Sequence, residues 1–436
     1  MKRVAVTGIG VVTPLGNDVE SFFASLTCGR SGIARLTGPM ATRRREAWSV
    51  PTRTHIGGAV AFDAADHFPG PKLRMLDRVS QFALVAAAQA VRAARIVWDD
   101  VDRERGGVFL GTGMGGAETT DDGYFTLYAE RTERIKPYSV LMAMNNAAAS
   151  WIGIEYGLAG PNLTFSTACS SSAVAVGEAA RRIRNGEVDL MLAGGAEAPL
   201  SYGTLVAWDA LKTLATEDPA DPATSCRPFS KDRTGLVLAE GAGIVVLEEW
   251  ERARARGAHI HAEFAGYGLC TDGVHITRPT VEGQAAAMRS ALADAELQPQ
   301  NIDYINAHGT ATLANDAVET AAIKQVFGTH AWRVPVSSTK SMHGHLLGAA
   351  GAIEFAAAVL TMERSILPPT INLRVADPEC DLDYVAGQAR TGVAPRAVMS
   401  NSFAFGGTNA VLIAREAPRD RGSDQQSLHE AGVPAR

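Results

Sequence analysis

A chain of 436 residues is long enough for one large domain or two to three ordinary ones, and 46% apolar residues supply ample material for a core. A formal net charge of −6, from 41 basic and 47 acidic side chains, excludes the overall basic field that would draw a chain onto nucleic acid or an anionic membrane. The five cysteines (28, 169, 226, 270 and 380) are few, odd in number and without CxxC spacing, against both a disulfide framework and structural zinc. No run of about 18 uninterrupted apolar residues marks a membrane span.

The first residues, Met1-Lys2-Arg3-Val4-Ala5-Val6-Thr7-Gly8, enter a strand-like run at once, without the charged, apolar and cleavage regions of a signal peptide, so a cytoplasmic location is expected. Strand-like runs follow at 4–12, 107–110, 190–193, 243–247, 260–267, 302–307, 334–337 and 410–413. Helical patterns fall at 80–94, 172–184, 282–295 and 349–362. Forty-three glycines and abundant alanine predict an α/β fold of closely packed layers. Segment 39–54, with Arg43-Arg44-Arg45, is expected to be a solvated surface loop.

The order of elements repeats. Val6-Thr7-Gly8-Ile9-Gly10 opens a first half and Phe264-Ala265-Gly266-Tyr267-Gly268 a second. Each half then offers a Gly-rich turn after a strand (111–116; 308–310), a Ser/Thr-led helix start (166–169; 338–341) and a glycine pair (194–195; 406–407). This predicts a duplicated unit, 1–256 and 257–415, with a boundary near residue 256. The polar, aperiodic tail 416–436 is expected to be disordered.

Cys169 lies between an apolar run (163–165) and a small-residue helical pattern, which places its sulfur at a helix N-terminus, where N–H groups and the helix dipole favour a thiolate. Taken alone, a cysteine is more often a small buried hydrophobe. Three further segments concentrate polar chemistry: Asn306-Ala307-His308-Gly309-Thr310-Ala311-Thr312 at a strand's C-terminal end, Ser338-Thr339-Lys340-Ser341-Met342-His343-Gly344-His345 before the helix that carries Glu354, and Asn401-Ser402-Phe403-Ala404-Phe405-Gly406-Gly407-Thr408-Asn409. Each has an ordinary structural explanation. Together they assemble a nucleophile, two histidines, a lysine and glycine-flanked backbone N–H groups, which is a set for acyl transfer. Gly111, Gly113 and Gly116 match a dinucleotide spacing, but no acidic residue follows a subsequent strand convincingly, and that reading is set aside.

The chain resembles the β-ketoacyl-acyl carrier protein synthases of the thiolase superfamily, closest to the synthase II type, over residues 2–415. The likeness rests on Val6–Gly10 with Thr13-Pro14-Leu15-Gly16, Thr167-Ala168-Cys169-Ser170, Ala193-Gly194-Gly195-Ala196-Glu197, and Asn306–Thr310 with Asp316 and Glu319. It rests also on Ser338-Thr339-Lys340-Ser341 with 344–351, and on Asn401-Ser402-Phe403 with Phe405-Gly406-Gly407-Thr408-Asn409. The resemblance implies a five-layered αβαβα thiolase fold of two duplicated halves. It implies a Cys169, His308, His345 centre with Lys340, and an oxyanion hole formed by the N–H groups of Cys169 and Phe405. Thr310, Thr312, Thr277, Met114 and Phe403 are implied to line the substrate path, with Glu354, Asp316 and Glu319 as structural support. The implied activity is decarboxylative condensation of a cysteine-bound acyl group with malonyl-carrier protein, in fatty-acid or type II polyketide or polyene synthesis. Neither a metal nor an organic cofactor is called for. The implied partners are acyl- and malonyl-loaded acyl carrier protein and a second subunit, identical or a related ketosynthase.

Several positions depart from the family's pattern. Ala404 stands where the gating loop usually has glycine, which predicts a stiffer gate; Met114 replaces a tunnel residue that is commonly isoleucine; and His343 replaces threonine and is read as a helix-start substitution. Lys72, Arg74, Arg134 and Lys136 are candidate contacts for an acidic carrier, while Glu217 occupies a position that is basic in the family. Two rivals are a non-catalytic partner subunit of the chain-length-factor kind and a malonyl decarboxylase. Each is expected to lack the active cysteine that this chain has.

Overall fold

The computed structural model describes residues 1–36, 53–132 and 134–417. The expected loop around Arg43-Arg44-Arg45 and nearly all of the expected tail therefore lie outside the described residues. Ten strands form the main sheet: β1 (Val4–Val12), β2 (Gly106–Gly111), β3 (Asn162–Phe165), β4 (Leu190–Glu197), β5 (Gly241–Glu249), β6 (Ala262–Thr271), β7 (Tyr304–Asn306), β8 (Val336–Ser337), β9 (Ala397–Phe403) and β10 (Thr408–Arg415). The main helices of the described residues are α1 (Arg78–Ala94), α2 (Ala147–Tyr156), α3 (Ser171–Arg184), α4 (Val281–Asp294), α5 (Asn315–Phe327) and α6 (Ala350–Arg364).

The strand order is β8-β7-β9-β10-β6-β1-β5-β4-β2-β3. The first five strands in sequence run β1-β5-β4-β2-β3, and the second five run β6-β10-β9-β7-β8, which is the same order. Pairing directions match as well: β1/β5 and β6/β10 are antiparallel, as are β5/β4 and β10/β9, while β4/β2, β2/β3, β9/β7 and β7/β8 are parallel. Within the main sheet the two halves are joined where Val4–Val6 of β1 meet Ala262–Phe264 of β6. The expected boundary near residue 256 falls between the helix Trp250–Ala255 and β6.

The layers follow from which helix faces which sheet. α1 and α2 cover the outer face of the first half-sheet, α4 and α5 lie on the second half, and α3 and α6 pack on each other between the two. This is the five-layered αβαβα thiolase fold. A helix enclosed on all sides has no need of a polar face, and α6 is buried from Ala350 through Met362. Its Phe355, Val359 and Leu360 are fully covered, each contributing about 1.5–3 kcal/mol by removal from water.

The paired glycine motifs have one physical cause. A Cβ at Gly8 or Gly10 would lie 2.1 or 2.0 Å from the carbonyl oxygen of Ala90 or Ala86 on α1. At Gly266 or Gly268 it would meet Ala291 O at 2.4 Å or Ala287 O at 2.0 Å on α4. Only glycine lets each outer helix approach its strand so closely. The other proposed glycine match does not hold, because Gly194-Gly195 lie within β4 whereas Gly406-Gly407 form the turn between β9 and β10.

Candidate active site

Between β3 and α3 the chain makes a 3-10 turn at Ala168–Ser170. Ala168 has φ +51°, a left-handed conformation unusual for a residue with a Cβ, and the bend it makes presents Cys169 at the lead-in to α3. Ser171 fixes the bend, its hydroxyl accepting from the Thr167 N–H (2.9 Å) and donating to the Ala168 carbonyl (2.6 Å). Cys169 is 6% exposed.

His308 follows the carboxyl end of β7, where open α/β sheets place ligands. Glu319 on α5 holds its loop by accepting from the His308 and Gly309 N–H groups (both 2.8 Å) and from Asn401 Nδ2 (3.1 Å). Asp316, one turn earlier, accepts from the Phe229 N–H at 2.8 Å. Lys340 begins the short helix Lys340–His343, and its fully buried ammonium has three acceptors for three protons. These are the Glu354 carboxylate on α6, the His308 carbonyl (2.7 Å) and His308 Nδ1 (3.3 Å).

Those contacts assign the histidine tautomers. His308 Nδ1 accepts from Lys340 and His345 Nδ1 accepts from the Leu347 N–H (3.2 Å), so each ring carries its proton on Nε2. His345 Nε2 lies 3.0 Å from Cys169 Sγ, and the two rings meet edge to face at 5.4 Å. Burial and the Lys340 charge hold both imidazoles well below their ordinary pKa, with a further contribution from His345 at His308 and from His343 at His345. The result is a pair of neutral N–H donors beside a sulfur, able to stabilise an anion without giving up a proton.

The thiol does not behave as its position alone predicts. Burial pushes Cys169 up to about 11, with the Lys340 charge and a hydrogen bond from the Phe405 N–H pulling the other way. The expectation of a depressed thiol is thus corrected for this closed pocket, because desolvation outweighs the nearby positive groups. Alkylation of Cys169 by iodoacetamide, followed on its own peptide by mass spectrometry, should rise about tenfold per pH unit between about pH 7 and 10. A plateau below about pH 8 would show a resting thiolate instead.

One pocket is lined by Cys169, His308 and His345 together with Thr277, Thr310, Thr312, Phe403, Ala404 and Phe405. Thr310 and Thr312 bond to each other through their hydroxyls at 2.9 Å, and Phe403 packs its ring against His308 at 5.9 Å. Phe405 stacks on Trp208 at 6.1 Å beside the Gly406-Gly407 turn, where both glycines have positive φ. Ala404 is not among the residues with positive φ, so its Cβ is unstrained in this closed arrangement.

Met114 does not line this pocket: it stands 40% exposed in the turn before the helix Ala117–Tyr128. His343 is buried and occupied, with Nδ1 on the Gly344 carbonyl (2.7 Å) and Nε2 on Thr339 Oγ1 (3.0 Å), and burial with the Lys340 charge lowers it to about 3. Arg74 and Lys136 line one surface cleft, Lys136 and Arg134 its neighbour, and Lys72 pairs with Glu155 at 2.5 Å. Glu217 is paired with Arg35.

Sequence reasoning passed over His275, Ile276, Arg278 and Pro279, which flank Thr277 in the pocket, and gave no role to Asn409, which also lines it. Their signal was a polar, Pro-terminated stretch between a strand and a helix. It also left Glu197 without a task. That buried carboxylate accepts from the N–H groups of Gly113 (2.6 Å), Met114 (2.9 Å) and Gly348 (2.8 Å), and burial raises it to about 7 despite those bonds. It occupies the glycine-loop N–H groups that a pyrophosphate would need.

Comparison with known proteins gives consistent results. The profile described as "Beta-ketoacyl synthase, N-terminal domain" matches residues 1–253, and "Beta-ketoacyl synthase, C-terminal domain" matches 261–374. The chain is 43% identical over 418 residues to "Nodulation protein E" of Rhizobium leguminosarum bv. trifolii, covering 95% of this chain and 99% of that one. It is also 43% identical over 417 residues to "3-oxoacyl-[acyl-carrier-protein] synthase 2" of Synechocystis, covering 94% and 97%. Among solved structures it is similar to the ishigamide ketosynthase/chain length factor, with a TM-score of 0.87, 36% identity, and coverage of 96% of this chain and 100% of that chain.

Proposed function

The chain belongs to the beta-ketoacyl synthase family, and we propose that it is a condensing acyltransferase that joins a Cys169-bound acyl group to malonyl-acyl carrier protein. The observation that carries the residue assignment is the pairing of Cys169 Sγ with His345 Nε2 at 3.0 Å in a pocket shared with His308.

In the first half-reaction the Cys169 sulfur attacks the carrier's thioester carbonyl. The oxyanion is held by the N–H groups of Cys169 and Phe405, and collapse expels the carrier thiolate, which takes the proton lost by the cysteine. Malonyl-carrier protein then places its thioester carbonyl against the Nε2–H groups of His308 and His345. The C–C bond to the carboxylate breaks, carbon dioxide leaves, and the electron pair becomes an enolate that both donors stabilise. The enolate carbon attacks the acyl-cysteine carbonyl; collapse breaks the acyl C–S bond, expels the Cys169 thiolate, which takes a proton from water, and releases a β-ketoacyl-carrier chain two carbons longer. Lys340, held by Glu354, keeps both rings neutral with Nε2 protonated, so they donate without protonating the enolate.

We propose that Thr277, Thr310 and Thr312 contact the malonyl or pantetheine end, and that Arg74, Arg134, Lys136 and Lys72 receive an acidic carrier. A partner subunit, identical or related, is proposed to sit on the helices Ala117–Tyr128 and Ser139–Ala143, α2 and the edge strand β3. Tyr124, Tyr128, Val140, Leu141, Ile154 and Leu163 are all exposed there. A connected apolar face beside an unpaired sheet edge is a surface that a subunit covers. Such a partner would also cover Met114 and make it a tunnel wall. The cytoplasmic location expected from the sequence is part of this proposal; no helix among the described residues is long and apolar enough to cross a membrane.

The Ala404 and Glu217 departures favour a dedicated polyketide or polyene carrier over a housekeeping fatty-acid carrier. Incubation with acyl groups of graded length on both kinds of carrier, with malonyl-carrier protein present, should give Cys169 adducts for a subset of lengths and products two carbons longer by intact mass spectrometry. No adduct at any length on either carrier would favour the non-catalytic partner subunit.

A further inference from the structure

A second cluster of metal-binding side chains lies outside the condensing pocket. In the extended segment that leads into β6, His259 and His261 alternate with Ile260, and the two-residue period puts both imidazoles on one face. Ile260 packs instead against Trp250 and Ala253. Facing the rings is Glu363 in the last turn of α6. His259 Nε2 is 2.9 Å from its Oε1 and His261 Nδ1 is 2.9 Å from its Oε2. The rings stand edge to face at 4.5 Å, and one ligand atom from each of the three residues lies within 4.8 Å of the others. Nitrogen and oxygen ligands at about 2.0–2.2 Å around a tetrahedral zinc ion are themselves about 3.3 Å apart, so small side-chain rotations bring these atoms to coordinating distance.

We propose that His259, His261 and Glu363 form a surface site for a divalent transition-metal ion of the zinc class, which clamps the start of the second half to the end of α6. Two imidazoles with a single carboxylate suit Zn²⁺, Ni²⁺ or Cu²⁺ and not Mg²⁺ or Ca²⁺, which prefer all-oxygen shells. With 63% of its side chain exposed, His259 leaves the ion open to solvent for its remaining ligands. The site is separate from the chemistry, because Glu363 is nine residues beyond Glu354 on α6, about 13 Å along the helix.

The test is a Zn²⁺ titration of the full chain by calorimetry after Cys169 has been alkylated, since Cys169, His308 and His345 are also close enough together to hold an ion. Wild type should bind one equivalent, and His259→Ala and Glu363→Gln should each weaken it by about 30-fold or more, while condensation by the unalkylated variants is unchanged. Zn²⁺ should also raise the wild-type melting temperature and leave that of His259→Ala unmoved. Equal affinity in wild type and in either variant, or no Zn²⁺ bound by the alkylated wild type, overturns the proposal and leaves the cluster an ordinary ion-pair network.

Discussion

Cys169→Ala should lose condensation by about 10⁴-fold or more while retaining malonyl-carrier decarboxylation. The loss is large because no neighbour can replace a sulfur nucleophile. Within the cluster formed with His308 and His345, the other groups are imidazoles whose nitrogens are committed, Nδ1 to Lys340 or Leu347 and Nε2–H to the pocket. Decarboxylation should persist because it needs only a carbonyl held against the two Nε2–H donors, and these do not depend on the cysteine. Stability should change little, since removing one small buried group typically costs about 1 kcal/mol. Product analysis by intact mass spectrometry separates the outcomes: acetyl-carrier without β-ketoacyl-carrier supports the division of labour, and surviving condensation would sink it.

Lys340→Met should lower condensation by about 10²–10³-fold and destabilise the protein by about 3–5 kcal/mol. Methionine keeps roughly the volume, so the effects come from charge and hydrogen bonds. Without the ammonium, His308 Nδ1 loses the donor that fixes its tautomer, and Glu354 is left buried without its cation. Burial already raises Glu354 to about 7 even with Lys340 pulling it down, and losing the lysine moves it further up. A carboxyl with a raised folded-state pKa contributes stability at low pH that is lost as pH rises through that value. Wild type therefore gives up this contribution by about pH 7, and the variant continues to lose stability above it. Urea denaturation at about pH 6 and pH 8.5 should show the gap widening at the higher pH. A constant gap would mean that Glu354 does not sense Lys340.

How far the molecule could be read from its sequence depended on whether a local pattern had a local cause. The duplication was legible because both glycine pairs answer the same steric demand, the approach of α1 to β1 and of α4 to β6. Helices α2 and α5 and the helix Ala117–Tyr128 were not recognised. Their apolar residues do not form a clean stripe, because Glu319 and Asp316 of α5 point inward to hold backbone N–H groups and the exposed face of α2 carries Ile154. Strand β9 was missed because Ser400, Asn401 and Ser402 read as a polar loop, yet they are buried in the second half-sheet. At the site, Cys169, Lys340 and both histidines followed from motif and order. The raised thiol did not, because it depends on how completely distant segments exclude water.

The repeated topology bears on why there is one reaction centre per chain. Cys169 lies two residues before α3, whereas Lys340 opens a separate short helix ten residues before α6, and these two central helices occupy equivalent places in the two halves. A perfectly symmetric pair would put a nucleophile and a buried cation on both sides of the axis, crowding two of each into a single cavity. Claisen chemistry is directional, with one carbon acting as electrophile and another as donor. In the proposed mechanism the first half supplies the cysteine that holds the acyl group, and the second supplies the histidines and lysine that steady the enolate. The asymmetry of the reaction is thereby matched by the different segments that lead into the two central helices.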